Sequence, residues 1–138
     1  MYRQIFYRLA LLCAVVLAMT TVGWAKTYHM TSMKEVPAAA GEVDVAKEKN
    51  GNMQVHVQVE HLAKPGMLTP SANAYVVWLQ EDGSQPQSQG EMKVEDDLKG
   101  DIKSTTVLTS FKVFITAEID SHTKTPSDQV VLRATVQQ

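Results

Sequence analysis

Hydrophobic and polar residues alternate along several stretches of the chain, which is the period of a strand with one face buried. The clearest stretch is residues 41–62. Val43 and Val45 alternate with Glu42 and Asp44, and Met53, Val55, Val57 and Val59 alternate with Gln54, His56, Gln58 and Glu60. Between them lies Lys49-Asn50-Gly51-Asn52, a hairpin turn signal. A two-residue turn at Asn50-Gly51 would set Val45 against His56 and Val43 against Gln58, apolar against polar on both faces. A three-residue loop, Lys49 to Gly51, sets Val45 against Val55 and Val43 against Val57. It also gives Gly51 the left-handed position of a bulged hairpin, which glycine adopts without a steric penalty. Register follows the buried face, so the pattern predicts the three-residue loop, with Asp44 opposite His56 on the polar side.

Residues 74–81 are apolar on both parities, with Tyr75, Val77 and Leu79 on one and Val76 and Trp78 on the other. Such a strand is central, with at least part of its second face covered. Residues 111–119 place Phe111, Val113, Ile115, Ala117 and Ile119 on one face, and Lys112, Phe114, Thr116 and Glu118 on the other. Residues 130–136 turn Val130, Leu132, Ala134 and Val136 inward and Arg133 and Thr135 outward. Shorter strands are expected at residues 91–94 and 101–108, and an edge strand at residues 27–36 ends before Pro37. Pro65-Gly66, Pro70, Gly83, Pro86 and Pro126 mark the loops between them. Seven or eight strands with turns at this spacing predict an all-β, antiparallel two-sheet β-sandwich, immunoglobulin-like in the broad sense. A small barrel is the alternative.

The first 25 residues follow a different pattern. Arg3 and Arg8 precede an apolar run at residues 9–19, and Gly23 and Ala25 occupy the −3 and −1 places before Lys26. This is the pattern of a secretory signal peptide. The run is short for a membrane span, which takes about 20 apolar residues. The alternative is an uncleaved single-pass anchor in the inner membrane, stretching from Ile5 to Trp24. The lone Cys13 lies inside the apolar run behind Leu12, not after it as a lipidated cysteine would. The expected division is therefore residues 1–25 as signal segment and residues 26–138 as one extracytoplasmic domain, periplasmic or secreted. That domain has no cysteine, so its fold rests on apolar burial.

Export also sharpens the charge. The whole chain has 13 basic and 15 acidic residues, a formal −2. Losing Arg3 and Arg8 leaves 11 against 15, or −4. Such a surface has no general attraction for nucleic acid or anionic lipid, and the membrane is expected to matter only through an uncleaved N-terminus.

From Tyr75 onward the landmarks run Tyr75-Val76-Val77-Trp78-Leu79, Asp82-Gly83, Pro86, Gly90, Phe114-Ile115-Thr116-Ala117-Glu118, Pro126 and Val130-Val131-Leu132. Over roughly residues 73–133 this order resembles the C-terminal, extracytoplasmic domain of the anti-sigma-K factor family. The resemblance implies a β-sandwich outside the cytoplasm. Ile119-Asp120-Ser121-His122 departs from the family's Gly-rich turn. No counterpart of the cytoplasmic sigma-binding domain precedes the apolar segment, so the resemblance implies no sequestration of a sigma factor by this chain alone.

Candidate chemistry is sparse. His29, His56, His61 and His122 are the imidazoles available to a metal, but His56 and His61 have opposite strand parity. Asp44 with His56 reads as a surface pair. Glu95, Asp96, Asp97 and Asp101 lack the ligand order of a calcium loop and read as a solvated turn. Asp120-Ser121-His122 contains the residue types of a hydrolase triad, but triads are defined by spatial arrangement. Tyr75, Trp78, Phe111 and Phe114 read as core, with Phe114 on the polar parity of its strand and expected to lie under a loop or sheet edge. A partner surface is the alternative for Phe114. The expectation is a non-enzymatic exported protein with no catalytic residue, metal or cofactor. It would bind an envelope protein through loops and strand edges. The alternative is a module for a metal or small ligand. Mass spectrometry of the exported protein is expected to find Lys26 at its N-terminus, and an intact Met1 would select the anchor.

Overall fold

The β2–β3 hairpin has the register that its valines predict. In the computed structural model, which describes residues 25–138, Ala40–Lys47 (β2) pairs with Met53–Glu60 (β3). Val45 faces Val55, Val43 faces Val57 and Asp44 faces His56. The amide of Glu48 donates to the Asn52 carbonyl at 2.8 Å and that of Gly51 to the Glu48 carbonyl at 3.0 Å. Gly51 sits at φ +88°, where a side chain would be strained. The signal segment expected at residues 1–25 lies outside the described residues except for Ala25.

Six further strands join this hairpin among the described residues: Lys26–Ser32 (β1), Ala74–Gln80 (β4), Gln87–Met92 (β5), Gly100–Thr106 (β6), Ser110–Glu118 (β7) and Val130–Gln137 (β8). All pairings are antiparallel, in the order β5-β4-β7-β8-β1-β2-β3-β6. This corrects the expected two-sheet, immunoglobulin-like sandwich. β1 pairs with β2 through residues 26–30 and then with β8 through Thr31 and Ser32, so one strand joins the two halves into a single sheet. The sheet curls until its outer strands β5 and β6 meet, where the Ser104 hydroxyl donates to the Gln89 side-chain oxygen. The result is a nearly closed barrel. Alternation reports which face a residue occupies. It does not report which strand lies beside it, and the sandwich and the barrel differ only in that.

The inner face explains the hydrophobic pattern. Val43, Val45, Val55, Val57, Val59, Tyr75, Val77, Leu79, Phe111, Val113, Ile115, Leu132 and Val136 form one buried cluster. Leu62 and Leu68, from the segment between β3 and β4, are buried with them. Local departures have local causes. β7 ends at Glu118, so Ile119 is 69% exposed instead of inward. A bulge pairs Ile115 with Leu132 but Thr116 with Val130, so Val131 is buried in the place expected for Val130. β5 runs from Gln87 to Met92 through a segment expected to be a turn. Its sequence QSQGEM buries only Met92, and a polar strand has no alternation to reveal it. β1 stops at Ser32, and the amides of Val36 and Ala39 then close successive turns onto Met33 and Val36.

One core residue ties stability to pH. Tyr75 is fully buried and its hydroxyl donates to the Ala63 carbonyl at 2.6 Å. Burial disfavours the phenolate and pushes its pKa up to about 12 from 10.0. The folded state therefore keeps this proton after the unfolded chain has lost it, and stability falls as pH rises. The contribution is intact below about pH 10, and its loss amounts to roughly 2–3 kcal/mol by about pH 12. Urea denaturation from pH 8 to 12 is expected to show that loss, and Tyr75→Phe is expected to remove this part of the slope.

Candidate functional site

The outer face of β4 and β7 is buried as well, against the usual habit of an antiparallel sheet with one wet face. Val76, Trp78 and Thr116 are all fully buried there. The Trp78 indole N–H donates to the Thr116 hydroxyl at 2.8 Å, and that hydroxyl donates to the Glu118 carboxylate at 2.6 Å. The Ser127 amide donates to the same carboxylate oxygen at 2.7 Å, and the Ser127 hydroxyl donates to the Ala117 carbonyl at 2.9 Å. The loop after β7 is thus folded back onto its own strand, and among the described residues each buried side-chain nitrogen or oxygen has a partner.

Phe114 lies at the border of this covered patch. Its ring stacks on Trp78, with centroids 6.4 Å apart and planes 16° from parallel. It is half-buried, so the cover expected for it is partial, and its open side lines a groove of about 520 Å³. His29 and Thr31 of β1, Lys112 of β7, and Arg133 and Thr135 of β8 line the rest. These are the outward positions of three neighbouring strands. The groove follows from the way β1 and β8 separate. They pair only at Thr31–Arg133 and Ser32–Leu132. Farther along β8, the Gln137 carbonyl accepts from the Lys26 ammonium at 3.1 Å and from the Tyr28 hydroxyl, side chains standing in for a strand ladder.

The groove is cationic. Lys112 pairs with Asp82 at 3.0 Å and His29 lies 3.4 Å from Glu42. Arg133 faces Phe114 directly across the β7–β8 ladder. It is the sole arginine in residues 26–138, and among the described residues it has no ion-pair or hydrogen-bond partner. A guanidinium is built for bidentate contact with a carboxylate, and an aromatic face beside it suits an apolar group.

A larger opening of about 710 Å³ lies over β2, β3 and the meeting of β5 with β6. His56 is at its edge. Its Nε2 is 3.0 Å from Asp101, and the Gln58 amide nitrogen is 2.9 Å from its Nδ1 and 3.1 Å from Asp44. An amide nitrogen only donates, so in this arrangement Nδ1 accepts and the ring proton sits on Nε2, directed at Asp101. Asp44 accepts a further bond from the Thr27 hydroxyl at 2.6 Å. Asp44 and His56 are opposite each other as expected, but Gln58 stands between them. Asp101 is the partner that sequence reasoning missed, because the β3–β6 pairing brings together residues 45 positions apart.

The other candidates take separate partners. Asp96 pairs with Lys64 at 2.6 Å. That hydrogen bond, with the attraction between the charges, holds the Lys64 ammonium above its ordinary pKa and the Asp96 carboxyl below its own. The Asp97 carboxylate accepts from the Lys99 amide at 3.2 Å. His61 follows β3 at φ 53°. His122 is 92% exposed, with the Ser121 hydroxyl at 3.2 Å and Asp120 at 3.6 Å, both on Nδ1. A triad puts acid and nucleophile on opposite ring nitrogens, and these two share one. Among the described residues, no three His, Cys, Asp or Glu side chains meet in a metal-binding group.

Thr116 is the link on which the covered patch turns. Thr116→Val strands the buried indole N–H and removes one donor from Glu118, and is expected to cost about 1–3 kcal/mol in urea denaturation. Glu118→Gln keeps an oxygen acceptor and is expected to cost less. Compared with known proteins, the chain matches no family model and no curated relative.

Proposed function

We propose that this chain is an exported, non-enzymatic binding module of the cell envelope, similar in role to the outer domain it resembles, and that it acts by holding a protein partner. The single observation that carries the reading is the outer-face groove. It presents a half-buried aromatic ring beside a guanidinium that has no carboxylate of its own. Aromatic and arginine side chains are the groups that most often anchor protein partners. Export is supported by the Arg3 and Arg8, apolar-run and Gly23-x-Ala25 pattern at the N-terminus. A module for a small ligand is the second reading, favoured by the groove's volume, which falls in the range of ligand pockets.

Photo-cross-linking in the envelope tests the first reading. A benzoylphenylalanine placed in turn at Thr135 in the groove, at Lys103 on β6 and at the exposed Val107 samples three parts of the surface. A discrete protein adduct from the exported chain is the expected outcome. No adduct from any of the three, in protein that retains its β-sheet circular dichroism, would overturn it.

A further inference from the structure

We infer that the groove over β7, β8 and β1 receives an extended acidic segment of a protein partner, with a carboxylate on Arg133 and an apolar side chain on Phe114. This rests on the protein-binding reading above and names the chemistry of the partner at that site.

Three observations lead to it. The first is charge. Residues 26–138 carry a formal −4, yet His29, Lys112 and Arg133 converge on this one opening. Lys112 and His29 already have acidic neighbours, but Arg133 has none among the described residues. An unpaired guanidinium with hydroxyls from Thr31 and Thr135 beside it is matched by a carboxylate, and an exposed acidic segment supplies one at little desolvation cost. The second is the floor. Phe114 is backed by the fully buried Trp78, so its ring is held flat and offers apolar surface with little further ordering. The third is shape. His29 and Thr31, Lys112 and Phe114, and Arg133 and Thr135 bring two outward positions from each of three adjacent strands to the opening, beside the place where β1 and β8 part. An extended chain directs alternate side chains to one face, at a spacing of roughly 6.5–7 Å. Phe114 and Arg133 are direct cross-strand neighbours, roughly 5 Å apart at Cβ. A segment that crosses the strands, with an acidic residue at one position and an apolar residue two positions on, presents both side chains to this pair.

The test uses exported, isotope-labelled protein and an acetylated, amidated peptide of two Glu-Ser-Val-Ser repeats, which puts Glu and Val on the same face. Nuclear magnetic resonance is expected to show saturable shift changes at Thr31, Lys112, Phe114 and Arg133. Arg133→Glu should weaken binding by about tenfold or more, the loss of one charge-assisted contact. Phe114→Ala should weaken it by a smaller factor. A peptide of two Lys-Ser-Val-Ser repeats should leave these resonances unmoved. The inference is overturned if the acidic peptide moves no resonance at millimolar concentration, if the changes centre elsewhere, or if Arg133→Glu leaves affinity unchanged. It is overturned in favour of a small-ligand site if free glutamate binds as tightly as the peptide. Arg133 is exposed, so its variant is expected to keep the fold, which circular dichroism checks. The cross-linking positions separate the two levels of the argument. Adducts from Lys103 or Val107 without one from Thr135 preserve a protein partner and remove it from this groove. Peptide binding at the groove without any adduct removes the protein partner instead.

Discussion

The fold depends on one strand that divides its hydrogen bonds between two neighbours. β1 gives residues 26–30 to β2 and its last two residues to β8, and the Met33 amide extends that second contact by donating to the Val131 carbonyl at 2.9 Å. The change of partner occurs at Met30, which packs over Gly41. A Cβ at Gly41 would lie 2.9 Å from the Met30 sulfur, so the Met30 side chain would have to shift to admit one. This junction is what makes eight strands one sheet. It is also what leaves β1 and β8 apart farther along, where side chains replace the ladder and the outer face opens.

The second layer over β4 and β7 has a related consequence. A tryptophan on the outer face of a sheet is costly to leave wet, and a chain of hydrogen bonds through Thr116 and Glu118 ties Trp78 to the loop after β7. Burial is complete at Trp78 and only partial at Phe114 beside it. The groove therefore has a rigid floor because the patch beside it is sealed. The sealed patch and the open groove share a border on β7, where successive outward residues pass from Lys112 and Phe114 in the groove to Thr116 and Glu118 beside the loop.

Much of the local structure was legible in the sequence. The valines of β2 and β3 set a register that the turn residues support, and the double-sided apolar run of β4 announced a strand buried on both faces. What was not legible depended on neighbours far apart in the chain. The sandwich expectation failed because β1's change of partner leaves no trace in periodicity. Of β5 only the end fell within the strand expected at residues 91–94, because its other residues are polar, and Val131 displaced Val130 because a bulge shifts parity by one. The site followed the same division. Arg133 could be placed outward from its own strand, but its company with Phe114, His29 and Thr31 required the order β7-β8-β1. The His56–Asp101 contact likewise required β3 beside β6.

The near-closure at β5 and β6 bears on what the two ends of the sheet expose. Strand edges with free amides and carbonyls are templates for pairing with another molecule, and a crowded compartment makes that hazard worse. Here the two outermost strands are turned towards each other, with Gln89 and Ser104 in contact across the join. The polar residues of β5 leave its margin without the apolar stripe that a growing fibril would need. The strand hardest to find by hydrophobicity is thus the one best suited to be a boundary. Its plainness leaves that edge without an apolar surface to offer another strand.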